Sequence, residues 1–409
     1  MPSQENYAIR PLNTGDVEQY NALLRYAFQI TEQELSECGW QDDEIKQSKF
    51  PVLERADVLG CFDGNDLVSQ IAVYPLKMNI YGVVYPVGFV TSVCTYPEYS
   101  GRGIMKRLMH QSLEHMRQRQ QPVALLFPYS IPLYRKRGWE IISNKISYTV
   151  KDRQIPSQLQ APGRVHRVNW DNEDFRNLHA QFAAATHGCL FRNALAWEEY
   201  WRWDEDDTVV AIYYDAAGKP SGYMVYLIKD DIMYVKEMIY LTREAQQGLW
   251  EYIHAHDSMI DEVRGSSYYS DPIAFELDDG DIRETIRPYI MGRIVDAEQF
   301  FPKYRCDPTA ENVTIAFEIE DHFLPWNNKT VTVLFHRGEC SLSAAAAKHH
   351  VKLSIATLTA LMLGYNTATK LQRLRRIEGE ERTVRLLDDV LLHEAPYISD
   401  YICRFAGFQ

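Results

Sequence analysis

GFVTSVCTYPEYSGRGIMKRLMHQSLEHMRQRQQPVALLFPYSIPLYRKRGW, residues 88–139, is the stretch whose reading decides the fold. Its first eight residues, 88–95, are rich in β-branched side chains and predict a buried strand. Tyr96-Pro97-Glu98-Tyr99-Ser100 turns the chain, and Gly101-Arg102-Gly103 opens a helix. That helix is predicted from Ile104, Met105, Leu108, Met109, Leu113 and Met116, which share one stripe at helical spacing, with Lys106, Arg107, Glu114 and Arg117 off it. A strand that runs through a glycine turn into a helix start suits an anion. The first N–H groups of the helix have no partner inside it, the peptide dipoles place partial positive charge there, and two glycines let a pyrophosphate approach. Arg102 adds a full charge. By itself Gly-x-Gly is equally a tight packing turn. It is not a P-loop, since no Gly-Lys-Ser/Thr follows, and not a dinucleotide fingerprint, since Lys106 stands where the third glycine would be.

The second half of the stretch narrows the reading. Val123-Ala124-Leu125-Leu126-Phe127 is a short apolar run between Pro122 and Pro128 and predicts a second buried strand whose far edge lacks a ladder donor at Pro128. Residues 131–137 make about two helical turns, stopped by Gly138 and followed by Trp139. The order is therefore strand, Gly-Arg-Gly helix, strand, then Tyr-x-x-x-Gly-aromatic. In this order the chain resembles the GNAT superfamily of acyl-CoA-dependent N-acyltransferases, whose pyrophosphate loop reads (Gln/Arg)-x-x-Gly-x-(Gly/Ala). Ser100-Gly101-Arg102-Gly103-Ile104-Met105 lies on that loop with two departures, Ser100 for Gln or Arg and Met105 for a small residue.

Around this centre, 409 residues predict two or three domains. A strand over 7–12 and a helix started by Thr14-Gly15-Asp16 lead to a polar-aromatic stretch, 28–42, in which Trp40 reads as a core residue or, as the GNAT resemblance implies, a wall of the acceptor pocket. Residues 58–62 and 67–74 predict a hairpin around Asp63-Gly64-Asn65-Asp66, and 77–86 pairs on through Tyr81-Gly82. A strand over 141–150 and a Pro, Ser, Gln and Gly linker over 156–162 close the first domain near residue 155. A second unit from Val165 repeats the element order, with strands at 209–214, 222–228 and 233–240 and a helix over 243–256, but Leu241-Thr242-Arg243-Glu244 replaces the glycine loop. A third unit begins near Met291, with strands over 313–319 and 330–336, an apolar helix over 353–363 and a helix-favouring run at Ala344 to Ala347.

This series resembles the Eis (enhanced intracellular survival) family of bacteria. The resemblance implies an α+β fold of mixed sheets: an active GNAT domain (1–155), a degenerate GNAT-like domain (156–290) and a sterol-carrier-protein-like domain (291–409). It implies an acetyl-CoA-dependent N-acetyltransferase acting on an amine of a small cationic acceptor, of aminoglycoside or polyamine type, and a homo-oligomer, a hexamer in family members. Residue by residue, Val93, Cys94 and Thr95 match the strand whose backbone binds the pantetheine arm. Gly101, Arg102, Gly103, Ile104, Met105 and Lys106 match the pyrophosphate loop, and Tyr129 and Ser130 fall at a further CoA contact. Tyr134 matches the general acid, and the α-carboxylate of Gln409 the base.

The chemistry stands beside the family. An ammonium cannot attack a thioester, so a carboxylate that attracts it and accepts its proton is needed. The departing thiolate needs a proton in return, and a phenol of pKa about 10 carries one at neutral pH. Tyr134 follows the second strand closely enough to serve, though on residues alone it also reads as a core tyrosine. Residues 402–409, ICRFAGFQ, are apolar and aromatic, unlike a disordered tail.

Composition bounds the rest. With 46% hydrophobic and 24% charged residues the chain is that of a soluble protein, and no segment approaches the ~18 apolar residues of a membrane helix. MPSQENYAIRPL has no basic-then-apolar signal pattern, so a cytoplasmic protein without membrane association is expected. Seven scattered cysteines without Cys-x-x-Cys predict reduced thiols and no zinc, and His254-x-His256 and His349-His350 lack acidic or cysteine partners, so no metal is expected. A net charge of -13 disfavours nucleic acid and suits a cationic amine. The runs 135–137 and 373–376 accordingly read as a solvated helix face or a subunit contact. Two other functions share this sequence: a protein or peptide N-acetyltransferase, and a non-catalytic CoA- or lipid-binding protein.

Overall fold

The computed structural model describes residues 7–37, 42–157, 159–202, 207–268 and 273–399. Trp40 and Gln409 lie outside the described residues. Among the described residues three sheets carry the fold. The first has eight strands, in the order Ala8–Pro11, Asp57–Asp63, Asp66–Ile80, Val83–Thr95, Val123–Leu126, Met291–Ile294 and Glu140–Ile141, with Leu190–Phe191 pairing to Asp66–Ile80. Its long central strands come from two tight hairpins. Asp63 pairs Asp66 across Gly64-Asn65, and Ile80 pairs Val83 across Tyr81-Gly82, whose φ angles of 48° and 81° are those a two-residue hairpin turn requires.

Val83–Thr95 and Val123–Leu126 run parallel, joined by the helix Ile104–Gln118. Five members of its predicted apolar stripe, Ile104, Leu108, Met109, Leu113 and Met116, are buried, and Met105 is half-buried. The second sheet, of seven strands, repeats the plan. Antiparallel Val209–Tyr214, Pro220–Lys229 and Ile232–Tyr240 are followed by the helix Arg243–His254 and the parallel strand Glu262–Ser267. The third sheet, of five strands, pairs Val313–Glu320 with Thr330–His336 and His349–Ser354 and is accompanied by helices Ile355–Met362 and Glu381–Val390. Among the described residues no helix is long and apolar enough to cross a membrane.

Three expectations are corrected. The strand read over 141–150 as part of the first unit is two strands. Glu140–Ile141 stays in the first sheet, while Asn144–Lys151 pairs with Glu262–Ser267 and Arg283–Pro288 in the second. In exchange Met291–Ile294 enters the first sheet between Val123–Leu126 and Glu140–Ile141. Backbone donors and acceptors are the same in every strand, so which sheet satisfies them is a long-range matter that alternation of side chains does not encode. The run Ala344 to Ala347 is not helical, because it only bridges the strands Glu339–Leu342 and His349–Ser354 and has no apolar face to bury. Leu353 belongs to the latter strand, and the helix starts at Ile355, capped by the Ser354 hydroxyl.

His187 sits where all three units meet. Its Nδ1 accepts from the Tyr81 N–H at 3.1 Å, so the ring is neutral with its proton on Nε2, which donates to the Leu363 carbonyl at 3.1 Å. Nearby, Arg192 and Glu237 form a fully buried bidentate pair at 2.7 and 2.9 Å, with the Tyr223 hydroxyl donating to the carboxylate at 2.8 Å. Burial pushes the Glu237 carboxyl up, but the charge and hydrogen bonds of Arg192 outweigh it and hold the group down at about 2. The ordinary value is 4.5, so the pair's contribution is complete above that pH and is lost as pH falls from 4.5 toward 2. Glu237→Gln is therefore expected to melt lower at neutral pH, and its melting temperature to vary less than wild type between about pH 5 and 3. Equal acid sensitivity of the two proteins would contradict this.

Candidate active site

The parallel pairing of Val83–Thr95 with Val123–Leu126 ends at the pair Val90 and Leu126. Beyond it Val123–Leu126 stops at Phe127-Pro128, and among the described residues no strand covers residues 91–95 on that side. Two strands that part company leave a slot with free backbone donors and acceptors on one wall. The opposite edge of the same segment is held at Cys94 and Thr95: Gln70 pairs with Cys94 and Ser69 with Thr95, and the Ser69 hydroxyl donates to the Cys94 carbonyl at 2.9 Å and meets the Thr95 hydroxyl at 2.7 Å. A bulge lies between them, since Gln70 faces Cys94 whereas Ala72 faces Thr91. Ser92 takes φ of 53° there, and its hydroxyl meets the Tyr20 hydroxyl at 3.1 Å. Of the strand residues named from sequence, Cys94 is buried and Val93 and Thr95 are half-buried, so what they offer the slot is backbone.

At the end of this slot the helix Ile104–Gln118 begins at Gly103 without any side-chain cap and without an acidic residue in its first turn. Other helices are closed by their own sequence: Asn172, Asn193, Thr242, Ser354 and Thr367 each accept an N–H of the helix they start. The bare start leaves donors and a positive dipole end to an outside anion. Gly101 and Gly103 have φ of 78° and 76°, and a Cβ added at either would meet nothing within 4 Å, so the turn is open. Arg102 donates to the Tyr7 hydroxyl at 2.6 Å and lies 5.4 Å from the Tyr99 ring centre. Ile104 is buried and contributes its N–H alone, Met105 is half-buried and Lys106 exposed. The equivalent helix of the second sheet is the opposite case: the Thr242 hydroxyl caps Ala245 N at 3.1 Å and Glu244 occupies its first turn, so the anion's place is taken by the chain itself.

Tyr134 lies on the short helix Ile131–Arg135, which follows Tyr129, 96% exposed, and the half-buried Ser130. Its ring is buried in the hydrophobic cluster that also holds Val90, Leu126 and Ile104, the residues at the mouth of the slot. Among the described residues no hydrogen bond engages its hydroxyl. Burial pushes the phenol up to about 12, only partly offset by the Arg137 charge. The Tyr134 carbonyl accepts from Arg137 N at 2.8 Å and Trp139 N at 3.3 Å, and the Trp139 ring stands edge-on at 6.2 Å.

Sequence reasoning missed what surrounds this helix. Glu140, buried, accepts from Arg135 at 2.8 and 3.0 Å and from Arg376 at 2.5 Å. Burial would raise its carboxyl, but the hydrogen bonds from Arg135, Ile141 N and Arg376 hold it below the usual carboxylate range. Arg135 and Arg376 thus join the first and third units through Glu140, a contact the sequence did not announce, while Lys136, Arg373 and Arg375 are exposed, as a solvated face requires. The available signal was Glu140 itself, a carboxylate inside an apolar stretch. The chain's last described residues approach the same region. Phe127, at the lip of the slot, touches Tyr289, which touches Tyr268, which touches Tyr397, at ring separations of 5.5, 5.5 and 5.8 Å. Ser399 accepts from Arg192 at 3.3 Å.

With this geometry in view, the likenesses of the chain to known proteins are informative. Residues 8–142 match a family described as an acetyltransferase (GNAT) domain, residues 188–294 another GNAT acetyltransferase domain family, and residues 297–399 a sterol carrier protein domain. A Streptomyces avermitilis protein described as an uncharacterized N-acetyltransferase is 23% identical, with 96% of this chain and 97% of that one aligned. Among solved structures, a probable N-acyltransferase from Enterococcus faecalis is 26% identical with a TM-score of 0.88, covering 97% of this chain and all of that one. A GCN5-related N-acetyltransferase from Anabaena variabilis, 22% identical, gives 0.84 over 96% and 99% of the two chains, and Eis1 from Mycobacterium abscessus, 19% identical, 0.79 over the same shares. The last two establish likeness of fold.

Proposed function

We propose that this chain, which belongs to the GNAT acetyltransferases by its two matched domains, moves an acetyl group from acetyl-CoA to the amine of a small cationic acceptor of aminoglycoside or polyamine type. The observation that carries the reading is the slot beyond Val90 and Leu126 ending at the uncapped, glycine-opened start of the helix Ile104–Gln118. One edge of a pantetheine arm needs amide partners, which the backbone of Val93, Cys94 and Thr95 would supply. The diphosphate needs N–H donors and positive charge, which residues 101–106 would supply. Tyr129 and Ser130 would flank the arm at its far side. The Tyr134 phenol, raised by burial, keeps its proton at neutral pH and would donate it toward the departing sulfur. The Gln409 carboxylate would take the proton of the attacking ammonium. The ring series from Phe127 to Tyr397 supports this, since it places Tyr397, twelve residues before Gln409, three ring contacts from the lip of the slot. The net charge of -13 supports a cationic acceptor through long-range attraction. A cytoplasmic homo-oligomer, of six subunits by the Eis resemblance, completes the proposal.

The test is release of free thiol from acetyl-CoA with a panel of aminoglycosides, polyamines and peptides. Turnover with peptides alone would replace the small-amine reading, and no turnover with any amine would favour a CoA-binding protein without catalysis. Adding a few residues after Gln409 is expected to lower kcat about tenfold, because the carboxylate is carried away from its place while a flexible extension can still loop back. The melting temperature should not move. A fully active extended protein would remove the terminal carboxylate from the mechanism.

A further inference from the structure

Arg293 enters the first sheet on Met291–Ile294 and is completely buried. Its Nη1 donates to the carbonyl of Arg137, in the turn that ends the Tyr134 helix, and its Nη2 to Asp321 Oδ2 at 2.5 Å. Asp321 belongs to the third unit and is itself held from every side. Its Oδ1 accepts from Phe323 N at 3.1 Å and Leu324 N at 3.0 Å, and its Oδ2 from Asn327 Nδ2 at 3.1 Å. Asn327 in turn accepts from Ala297 N at 3.1 Å and donates to the Val295 carbonyl at 3.0 Å. The turn at Arg137 is shaped for this contact. Gly138 has φ of 82°, and a Cβ there would run into the Arg293 guanidinium and Ile355. A buried guanidinium with its carboxylate is a costly feature to place in a core, and apolar packing would serve stability as well or better. What it does here that an apolar side chain could not is hold one carbonyl at a defined point, three residues from Tyr134.

We propose that Arg293 and Asp321 are positioning residues for Tyr134, so that the sterol-carrier-like unit sets the aim of the acid on the first domain. This rests on the reading of Tyr134 as the proton donor. Tyr134 receives the restraint through one helical end: Arg137 N and Trp139 N both bond the Tyr134 carbonyl, so a shift at Arg137 turns the tyrosine. The nucleotide-binding backbone of residues 93–106 makes no hydrogen bond to either residue, and acetyl-CoA binding is independent of the pair.

The experiment is a double-mutant cycle on the full-length protein with acetyl-CoA and a turned-over amine. Asp321→Asn is expected to lower kcat about tenfold to a hundredfold, the scale that a misplacement of ~1 Å carries. The KM for acetyl-CoA and the thermal shift it produces should stay as in wild type. Tyr134→Phe with Asp321→Asn should be no slower than Tyr134→Phe alone, because an aim has no value once the hydroxyl is gone. Multiplied losses, or normal kcat in Asp321→Asn beside a slow Tyr134→Phe, overturn the proposal while leaving the acid in place. Normal kcat in Tyr134→Phe removes the acid itself. Should Asp321→Asn not fold, Arg293→Lys carries the same cycle, since an ammonium keeps the charge facing Asp321 but cannot span to Arg137 as well.

Discussion

Replacing Tyr134 by phenylalanine is expected to slow turnover by about 10²- to 10⁴-fold, the range a general acid contributes. The substitution is clean for structural reasons. The ring is buried in the cluster of Val90, Leu126 and Ile104, which phenylalanine fills equally well, and among the described residues the hydroxyl makes no hydrogen bond that the substitution would remove. Melting temperature and the KM for acetyl-CoA should therefore be unchanged, and the loss should fall on kcat. The pH dependence carries a second mark. With the phenol pushed up to about 12, the acid stays protonated across the whole working range, so its ionisation cannot produce a decline in kcat at mildly alkaline pH. A wild-type decline near pH 9 that disappears in Tyr134→Phe would contradict the burial described above. Equal kcat in mutant and wild type would show that the leaving sulfur finds its proton elsewhere.

The second large effect is expected at Gly103. Gly103→Val should raise the KM for acetyl-CoA by about a hundredfold and abolish the thermal shift that acetyl-CoA produces. Two costs combine. A side chain at φ of 76° is strained by roughly 1–2 kcal/mol, and its bulk stands in the open space through which a diphosphate would reach the first N–H groups of the helix. The space beside Gly103 is open, since a Cβ there meets nothing within 4 Å. Gly218→Val is the matched control, since Gly218 has φ of 78° with equally open surroundings in a hairpin of the second unit. The two variants share the backbone strain, and only the first should lose acetyl-CoA. Similar KM values in both would mean that the turn does not hold the diphosphate.

Much of the first domain was legible because its signals are local. The apolar stripe of residues 104–116 needs only helical periodicity, the turns Gly64-Asn65 and Tyr81-Gly82 are each marked by a glycine at positive φ, and the bare helix start needs only the absence of a capping side chain before Ile104. The capped, acidic start of the second unit's helix was equally local, since Thr242 and Glu244 are adjacent in the chain to the donors they occupy or oppose. Less could be read where a residue's partner is distant. Arg293 sits between isoleucine, methionine and glycine in a stretch that reads as ordinary core strand, and nothing nearby names Arg137 or Asp321 as its partners. Glu140 and Arg376 are separated by more than half the chain, so the clamp they form looked like two unrelated features.

The amino-acid order by itself determined most elements of the stretch 88–139 and the glycine-opened, uncapped helix start, since each follows from spacing within about one turn or one hairpin. Only the tertiary structure decided which strands share a sheet, where the pairing stops at Val90 and Leu126, and which distant charges grip the Tyr134 helix. The reason is that backbone hydrogen bonds are interchangeable among strands and a buried ion pair is specified by the geometry of the whole packed core, neither of which leaves a periodic mark on the chain.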